Sequence, residues 1–235
     1  MHRKIEYYQQ QLSFDLGYQS IYGRDNLIVS RANCSAICFL EQWPAWQTPI
    51  TVLIGEQGCG KTHISNLWLE KSKAISINKF ELDKGVELAL SGHSIFIDNL
   101  GKSKIDEINL FHLFNAIKET FLINKTTSLL ITSHYFPSTW QLTINDLISR
   151  LRTVNMIKID TPDDLLLKGL LKKLLADRQL IIDNNMIDYI LLRVERTVDK
   201  INNLVNYIDQ LVIDEKKKAN RNIINKAFKL TEQKN

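Results

Sequence analysis

The sequence predicts an α/β protein: a parallel β-sheet sandwiched by helices, followed by a small all-helical domain. Three observations predict it. Five short apolar runs alternate with helical patterns up to about residue 160, and strands separated by helices form parallel sheets covered on both faces. The first of these runs ends in a glycine-rich turn that opens a helix. Beyond Asp160 only helical patterns follow. With 235 residues and 44% hydrophobic content, the chain can bury a full core in one α/β domain and still form a smaller satellite.

Residues 1–20 are polar, dotted with aromatics and without a sustained helical period, so they read as a tail. A helix is expected over 33–43, closed by Pro44. The run 50–54, Ile-Thr-Val-Leu-Ile, ends on glycine and reads as a buried strand. Similar strands are expected over 74–77, 94–97, 128–132 and 156–159, with a helix over 107–123 among the segments between them. Thr161 is expected to cap the next helix, with Pro162 in its first turn and Asp163 and Asp164 near its positive end. Asp183, Thr197 and Asn220 are expected to cap three more. The chain thus divides into a tail over 1–20, an α/β domain over 21–160 and a helical domain over 161–235.

Composition narrows the setting. The net charge of +4 is mild and does not call for nucleic acid. The locally basic stretch 215–229 reads as a solvated helix face. Three cysteines without a C-x-x-C pair argue against a disulfide framework and for a reducing, cytoplasmic compartment. Cys34 and Cys38 are expected to be core-facing thiols, since no His or Cys cluster completes a metal site around them. No apolar run reaches the length of a membrane span, and the N-terminus carries no apolar signal core. A soluble chain without membrane contact is expected.

The chemistry concentrates in two places. Gly55-Glu56-Gln57-Gly58-Cys59-Gly60-Lys61-Thr62 fits G-x-x-x-x-G-K-[ST], and it follows a predicted strand and opens a helix at His63. Its glycines let backbone N–H groups turn inward around phosphate oxygens, aided by the helix N-terminus. Lys61 would reach the outer phosphates and Thr62 would ligate Mg²⁺. The strand over 94–97 then delivers Asp98, a carboxylate that holds Mg²⁺ directly or through water. The following residue is Asn99, an amide that can position water but cannot accept its proton. Slow hydrolysis in the chain's own site follows.

A third feature lies in the tail. In Gln11-Leu12-Ser13-Phe14-Asp15-Leu16 the large apolar side chains of Leu12, Phe14 and Leu16 stand at every second place. Such a peptide suits extended docking, with alternate side chains in a groove and directional hydrogen bonds from its backbone and the Gln11 amide.

The order of elements, the segment Leu27-Ile28-Val29-Ser30-Arg31-Ala32-Asn33, the pair Asp98-Asn99 and the segment Asp146-Leu147-Ile148-Ser149-Arg150-Leu151 together resemble the DnaA-related branch of the AAA+ family. Within it they are similar to the Hda subgroup, the regulatory inactivators of DnaA. The resemblance runs from Gln11 onward. It implies bound ADP or ATP with Mg²⁺, and adenine packed against the segment that includes Val29. It also implies phosphates cradled by Gly55, Gly58, Cys59, Gly60, Lys61, Thr62 and His63. Gln11, Leu12, Phe14 and Leu16 match the subgroup's Q-L-x-L-x-L motif, with Phe for the middle Leu, which docks in the hydrophobic pocket of the β-subunit sliding clamp of DNA polymerase. DnaA is the second implied partner; DNA contact is indirect or weak, and a homo-oligomer is allowed.

Arg150 stands where AAA+ proteins place an arginine finger that acts in trans on a neighbour's nucleotide, and Arg152 is the alternative. Such a finger is worth about 10³–10⁵ in rate in comparable GTPase pairs. Two positions depart from the DnaA pattern. The first-sensor Asp is replaced by the run Thr132-Ser133-His134, so either its hydroxyls or His134 would contact the γ-phosphate or water, with Ser133 and His134 as the sensor candidates. The second-sensor arginine falls on Asp199, with Lys200 or Arg196 as possible substitutes. Both changes, with Asn99, point away from efficient turnover and make an ADP-bound or nucleotide-free form reasonable. The expected function is regulation of replication initiation, through docking on the clamp and promoting hydrolysis of DnaA-bound ATP. The alternatives are an autonomous AAA+ ATPase such as a helicase loader, and an adaptor that no longer uses nucleotide. DnaA carries a helix-turn-helix domain after the lid and this sequence shows none, so origin binding is not expected.

Overall fold

The computed structural model describes residues 27–101 and 103–232. The hexapeptide 11–16 with its four docking candidates lies outside them. Among the described residues, α1 (Cys34–Glu41), β1 (Ile50–Ile54), α2 (Lys61–Ser72), β2 (Ile75–Ile77), α3 (Leu82–Leu90), β3 (Ile95–Leu100), α4 (Glu107–Ile123), β4 (Leu129–Ser133), α5 (Asn145–Leu151) and β5 (Asn155–Lys158) build the α/β part. The strands form one parallel sheet in the order β2-β3-β4-β1-β5. Strand β1 lies between β4 and β5 and is buried along its whole length, as is β4, whereas the edge strands β2 and β5 are partly exposed. That gradient is why 50–54 and 128–132 read as continuous apolar runs.

The two-residue period of the strands sorts their side chains between two cores. Ile50, Val52, Ile54, Ile95, Ile97, Leu129 and Ile131 face one side, where α3, α4 and α5 add Leu82, Leu113, Phe114 and Leu147. Leu53, Phe96 and Leu130 face the other, against Ile37 and Leu40 of α1 and Ile64 and Trp68 of α2. The expected extension of α1 to residue 43 does not occur. The chain leaves the helix after Glu41 so that Trp43 can set its edge on Trp68 and Trp46 can stack on the same ring at 5.6 Å. Burying two indoles outweighs another half-turn of helix.

The thiols depart from expectation as well. Cys34 is half-buried and Cys38 exposed, because Ala36, Ile37 and Leu40 form the buried stripe of α1 and the helical period turns 34 and 38 away from it. The buried thiol is Cys59.

After β5 come α6 (Asp164–Asp177), α7 (Asn184–Leu191), α8 (Val198–Glu215) and α9 (Arg221–Glu232), packed around their own core of Leu171, Ile190, Ile201, Leu204, Ile208 and Ile224. Asp183, Thr197 and Asn220 cap α7, α8 and α9, accepting from the amides of Met186, Lys200 and Ile223. At α6 the cap is Asp163, whose carboxylate accepts from Leu166 N at 2.8 Å, and not Thr161. Pro162 disfavours the helical region for the residue before it, which holds Thr161 outside the helix. No helix among the described residues is long and apolar enough to cross a membrane.

Candidate nucleotide-binding site

The P-loop joins the end of β1 to the start of α2. Gly58 and Gly60 take φ values of +74° and +97°, a left-handed region that side chains disfavour. Cys59 is buried beneath the loop, and a Cβ on Gly55 would stand 2.6 Å from its Sγ. Burial pushes the Cys59 thiol above its ordinary range and the nearby Lys61 ammonium partly offsets this, so the thiol stays protonated. Lys61 is itself buried, and its ammonium donates to Gly55 O and Glu56 O, both at 2.8 Å. The lysine therefore shapes the loop it belongs to.

Thr62 and Asp98 come together from α2 and β3. The Thr62 hydroxyl lies 3.3–3.4 Å from the two Asp98 carboxylate oxygens. This pair of hard oxygen donors on exposed side chains fits Mg²⁺, which prefers carboxylate, hydroxyl and water ligands. Among the described residues no group of three or more His, Cys, Asp and Glu side chains makes a metal site.

Asn99 sits at φ +56°, inside the irregularity that shifts the β3–β4 register between Ile97 and Leu100. Its backbone N–H donates to Thr132 Oγ1 at 2.7 Å, and the same hydroxyl donates to Asp98 Oδ1. The Asn99 Oδ1 atom is buried and accepts no hydrogen bond from the protein. Thr132 thus fixes the acid and the amide together. Of the two hydroxyls in the run that stands in the first sensor's place, it is the one joined to Asp98.

The other candidates fall as follows. The Ser133 hydroxyl donates to Tyr135 O and accepts from Tyr135 N and Trp140 Nε1, so it is engaged in holding the loop after β4. His134 is half-buried with its ring tilted on Tyr135. Val29 is 54% exposed, whereas its neighbour Ile28 touches α6: a Cβ on Gly169 would stand 3.2 Å from Ile28 Cδ1. His63 is held below the usual imidazole range, first by burial and then by the Lys173 ammonium of α6. In the segment 196–200, Arg196 pairs with Asp164 at 2.5 Å and Lys200 with Glu195 at 3.6 Å, so each cation is engaged by a carboxylate of the helical part. Asp199 is exposed, and its charge reaches the Cys59 thiol.

Arg150 is half-buried near the end of α5, with its guanidinium 4.7 Å from the centre of the Phe111 ring of α4. It rests on the sheet face opposite α2. Arg152 follows α5 and is exposed.

No family model matches the sequence, and no curated protein matches it. Solved structures do. DnaA of Aquifex aeolicus bound to AMPPCP is 22% identical with a TM-score of 0.61, over 80% of this chain and 64% of that one. The chain thus spans less than two thirds of that initiator's length. Domain III of the Thermotoga maritima replication initiation protein DnaA is 16% identical with a TM-score of 0.71, over 88% of this chain and 95% of that domain. The Thermotoga maritima RuvB Holliday junction branch migration motor is 16% identical with a TM-score of 0.63, over 88% of this chain and 69% of that one.

Proposed function

We propose, from the AAA+ fold that the chain shares with DnaA domains and RuvB, that it binds ADP or ATP with Mg²⁺ on the P-loop and acts as a cytoplasmic regulator of replication initiation. It docks on the sliding clamp through Gln11, Leu12, Phe14 and Leu16, and promotes hydrolysis of the nucleotide bound by DnaA. Its α/β and helical parts serve as nucleotide-binding domain and lid.

The observation that carries the reading is Arg150. Its guanidinium is seated on Phe111, on the sheet face away from the helix that carries Lys61 and Thr62. A cation held there stands away from the chain's own P-loop, so its nucleotide target would be a neighbouring molecule's. The planar fork suits phosphate oxygens, and stacking on an aromatic ring limits the rotamers it must lose on engagement.

The chain's own site supports weak turnover. Thr62 and Asp98 would hold Mg²⁺, which when bound neutralises charge on the outer phosphates. Lys61 shapes the loop, and its third donor, which makes only a long 4.0 Å contact to Cys59 Sγ, would turn to a phosphate. Asn99 is an amide, which can orient a water but cannot take up its proton at neutral pH. Arg196 and Lys200, the substitutes considered for the second-sensor arginine, are each paired with a nearby acid. The nucleotide then acts as a structural element more than as fuel.

The deciding experiment measures hydrolysis of DnaA-bound ATP in the presence of DNA-loaded clamp, with wild-type protein, Arg150→Ala and Arg150→Lys. The expected result is stimulation by wild type and a loss of at least two orders of magnitude in both variants, on the scale of about 10³–10⁵ known for such fingers. Full activity in Arg150→Ala sinks the mechanism. The engaged Arg196 and Lys200 also favour a second reading, an adaptor that keeps the fold without using nucleotide. Unchanged regulation by a folded Lys61→Ala protein selects it. Robust ATP turnover by the isolated chain, stimulated by single-stranded DNA, selects a motor instead.

A further inference from the structure

The lid is fastened to the P-loop by a hydrogen bond made wholly within the protein. Val198 N donates to Gly58 O at 2.8 Å. Val198 is the first residue of α8, so this amide is one of those a helix leaves without an internal acceptor. Thr197, the cap of that helix, rests directly on Gly58. A Cβ added there would lie 2.7 Å from Thr197 Cβ and 3.3 Å from its Cγ2. The Val198 side chain continues the contact, with Cγ2 3.7 Å from the corresponding position on Gly60. Thr197 Oγ1 accepts from Lys200 N at 3.2 Å, which fixes the helix start and with it the direction of the Val198 amide.

The contact has a counterpart elsewhere on the lid, where Ile28 packs on Gly169 of α6. Body and lid are therefore joined twice: by an apolar contact through the segment before the P-loop, and by a polar contact on the P-loop itself. The polar contact demands glycine at 58 twice over, for its φ of +74° and for the closeness of Thr197.

We propose that Thr197 and Val198 form a latch that closes the lid on the P-loop and sets the rate of nucleotide exchange. The proposal rests on the reading of the P-loop as a nucleotide site. The latch bond is made to the loop's own carbonyl and not to a ligand, so it must break for a nucleotide to arrive as well as to leave. It adds to both barriers by the same amount and leaves affinity unchanged. A group that binds nucleotide directly behaves differently, since it slows departure and tightens binding.

Val198→Pro tests this. Proline is well tolerated at the first helical position because the N–H it lacks has no partner inside the helix. Thr197 already holds φ −129° and ψ 149°, the extended region that a residue before proline requires. The variant keeps the α8 start, deletes the latch donor and sets the ring Cδ where the amide hydrogen met Gly58 O, so the closed contact is both unbonded and crowded. Stopped-flow mixing of the full chain with a fluorescent ADP analogue gives the association and dissociation rate constants. Both are expected to rise by at least the roughly two- to tenfold equivalent of one net hydrogen bond, with Kd unchanged within about twofold. Unchanged rate constants in a variant with wild-type helicity overturn the latch. So does a weaker Kd with an unchanged association rate, which makes the amide part of ligand recognition. If Val198→Pro loses helicity, Thr197→Ser carries the test: it keeps the cap hydroxyl, removes the methyl that rests on Gly58, and is expected to speed both rates by a smaller factor. Unchanged rates in it overturn the latch equally. Failure of the wild-type chain to bind the analogue at all refutes the nucleotide site itself, a result distinct from failure of the latch.

Discussion

Replacing Thr132 by valine removes one hydroxyl and keeps the shape of the side chain. Thr132 is wholly buried in β4, so the change opens no cavity and its cost is that of the polar groups left behind. The hydroxyl has two partners: it donates to Asp98 Oδ1 and accepts from Asn99 N at 2.7 Å. Asp98 is exposed and can exchange its lost donor for water, so its contribution is small. The Asn99 amide lies partly buried at the irregularity between β3 and β4, and leaving it without an acceptor costs about 1–3 kcal/mol. Asn99 is also held at φ +56° by that bond, and the strained conformation persists only while its surroundings fix it. For a chain of this size each kcal/mol lowers Tm by roughly 2–4 °C, so Thr132→Val is expected to melt about 2–12 °C below wild type. Thr132→Ser keeps both hydrogen bonds and loses only a methyl, and is expected to recover most of the difference. Melting followed by circular dichroism, with urea unfolding for the free energy, reads both variants. A Thr132→Val protein that melts within about 1 °C of wild type refutes the argument, and so does a serine variant as damaged as the valine one.

Further outcomes follow from other contacts. Lys61→Ala leaves the carbonyls of Gly55 and Glu56 without their donor, so it is expected to lower Tm by several degrees, about 1–2 kcal/mol, as well as to abolish binding of a fluorescent ADP analogue in equilibrium titration. His63 has its folded pKa depressed by burial and by Lys173. The unfolded chain therefore binds the proton more readily, and His63's contribution to stability is present above the unfolded value of about 6.5 and is lost as pH falls below it. Urea midpoints at pH 7.5 and 5.5 should show this loss, and Lys173→Gln should raise the His63 pKa in an NMR titration. Glu107 accepts from the amides of Thr143 and Ile144 at 2.7 and 2.9 Å, which anchors the entrance to α5 and lowers its own pKa. Glu107→Ala is expected to speed hydrogen exchange at those two amides and across α5, where Arg150 sits. Gly101→Ala places a Cβ 2.3 Å from Trp140 Nε1 at φ +92°; the indole must move off Ser133, and a change in Trp fluorescence with a loss above about 2 kcal/mol is expected.

Contiguous chemistry was legible in the sequence. The P-loop could be read because its glycines, lysine and threonine are local neighbours whose spacing alone defines a turn into a helix. The strands β1 and β4 were legible because both faces are covered, which demands an unbroken apolar run, and Asp183 and Thr197 were legible as caps because a cap acts on amides only a few residues away. Cys38 misled because a four-residue spacing marks one stripe of a helix without saying which stripe faces the core. The tertiary structure alone decided the rest. Thr132 meets Asp98 because β3 and β4 are neighbours in a particular register. Arg150 finds Phe111 because α5 packs on α4. Arg196 meets Asp164, and Val198 meets Gly58, only once the helical part has folded and packed on the sheet domain. Propensity and periodicity act over one or two turns of chain, whereas these contacts join residues from about thirty to 140 positions apart, and such pairings are set by how whole elements stack to bury their apolar faces.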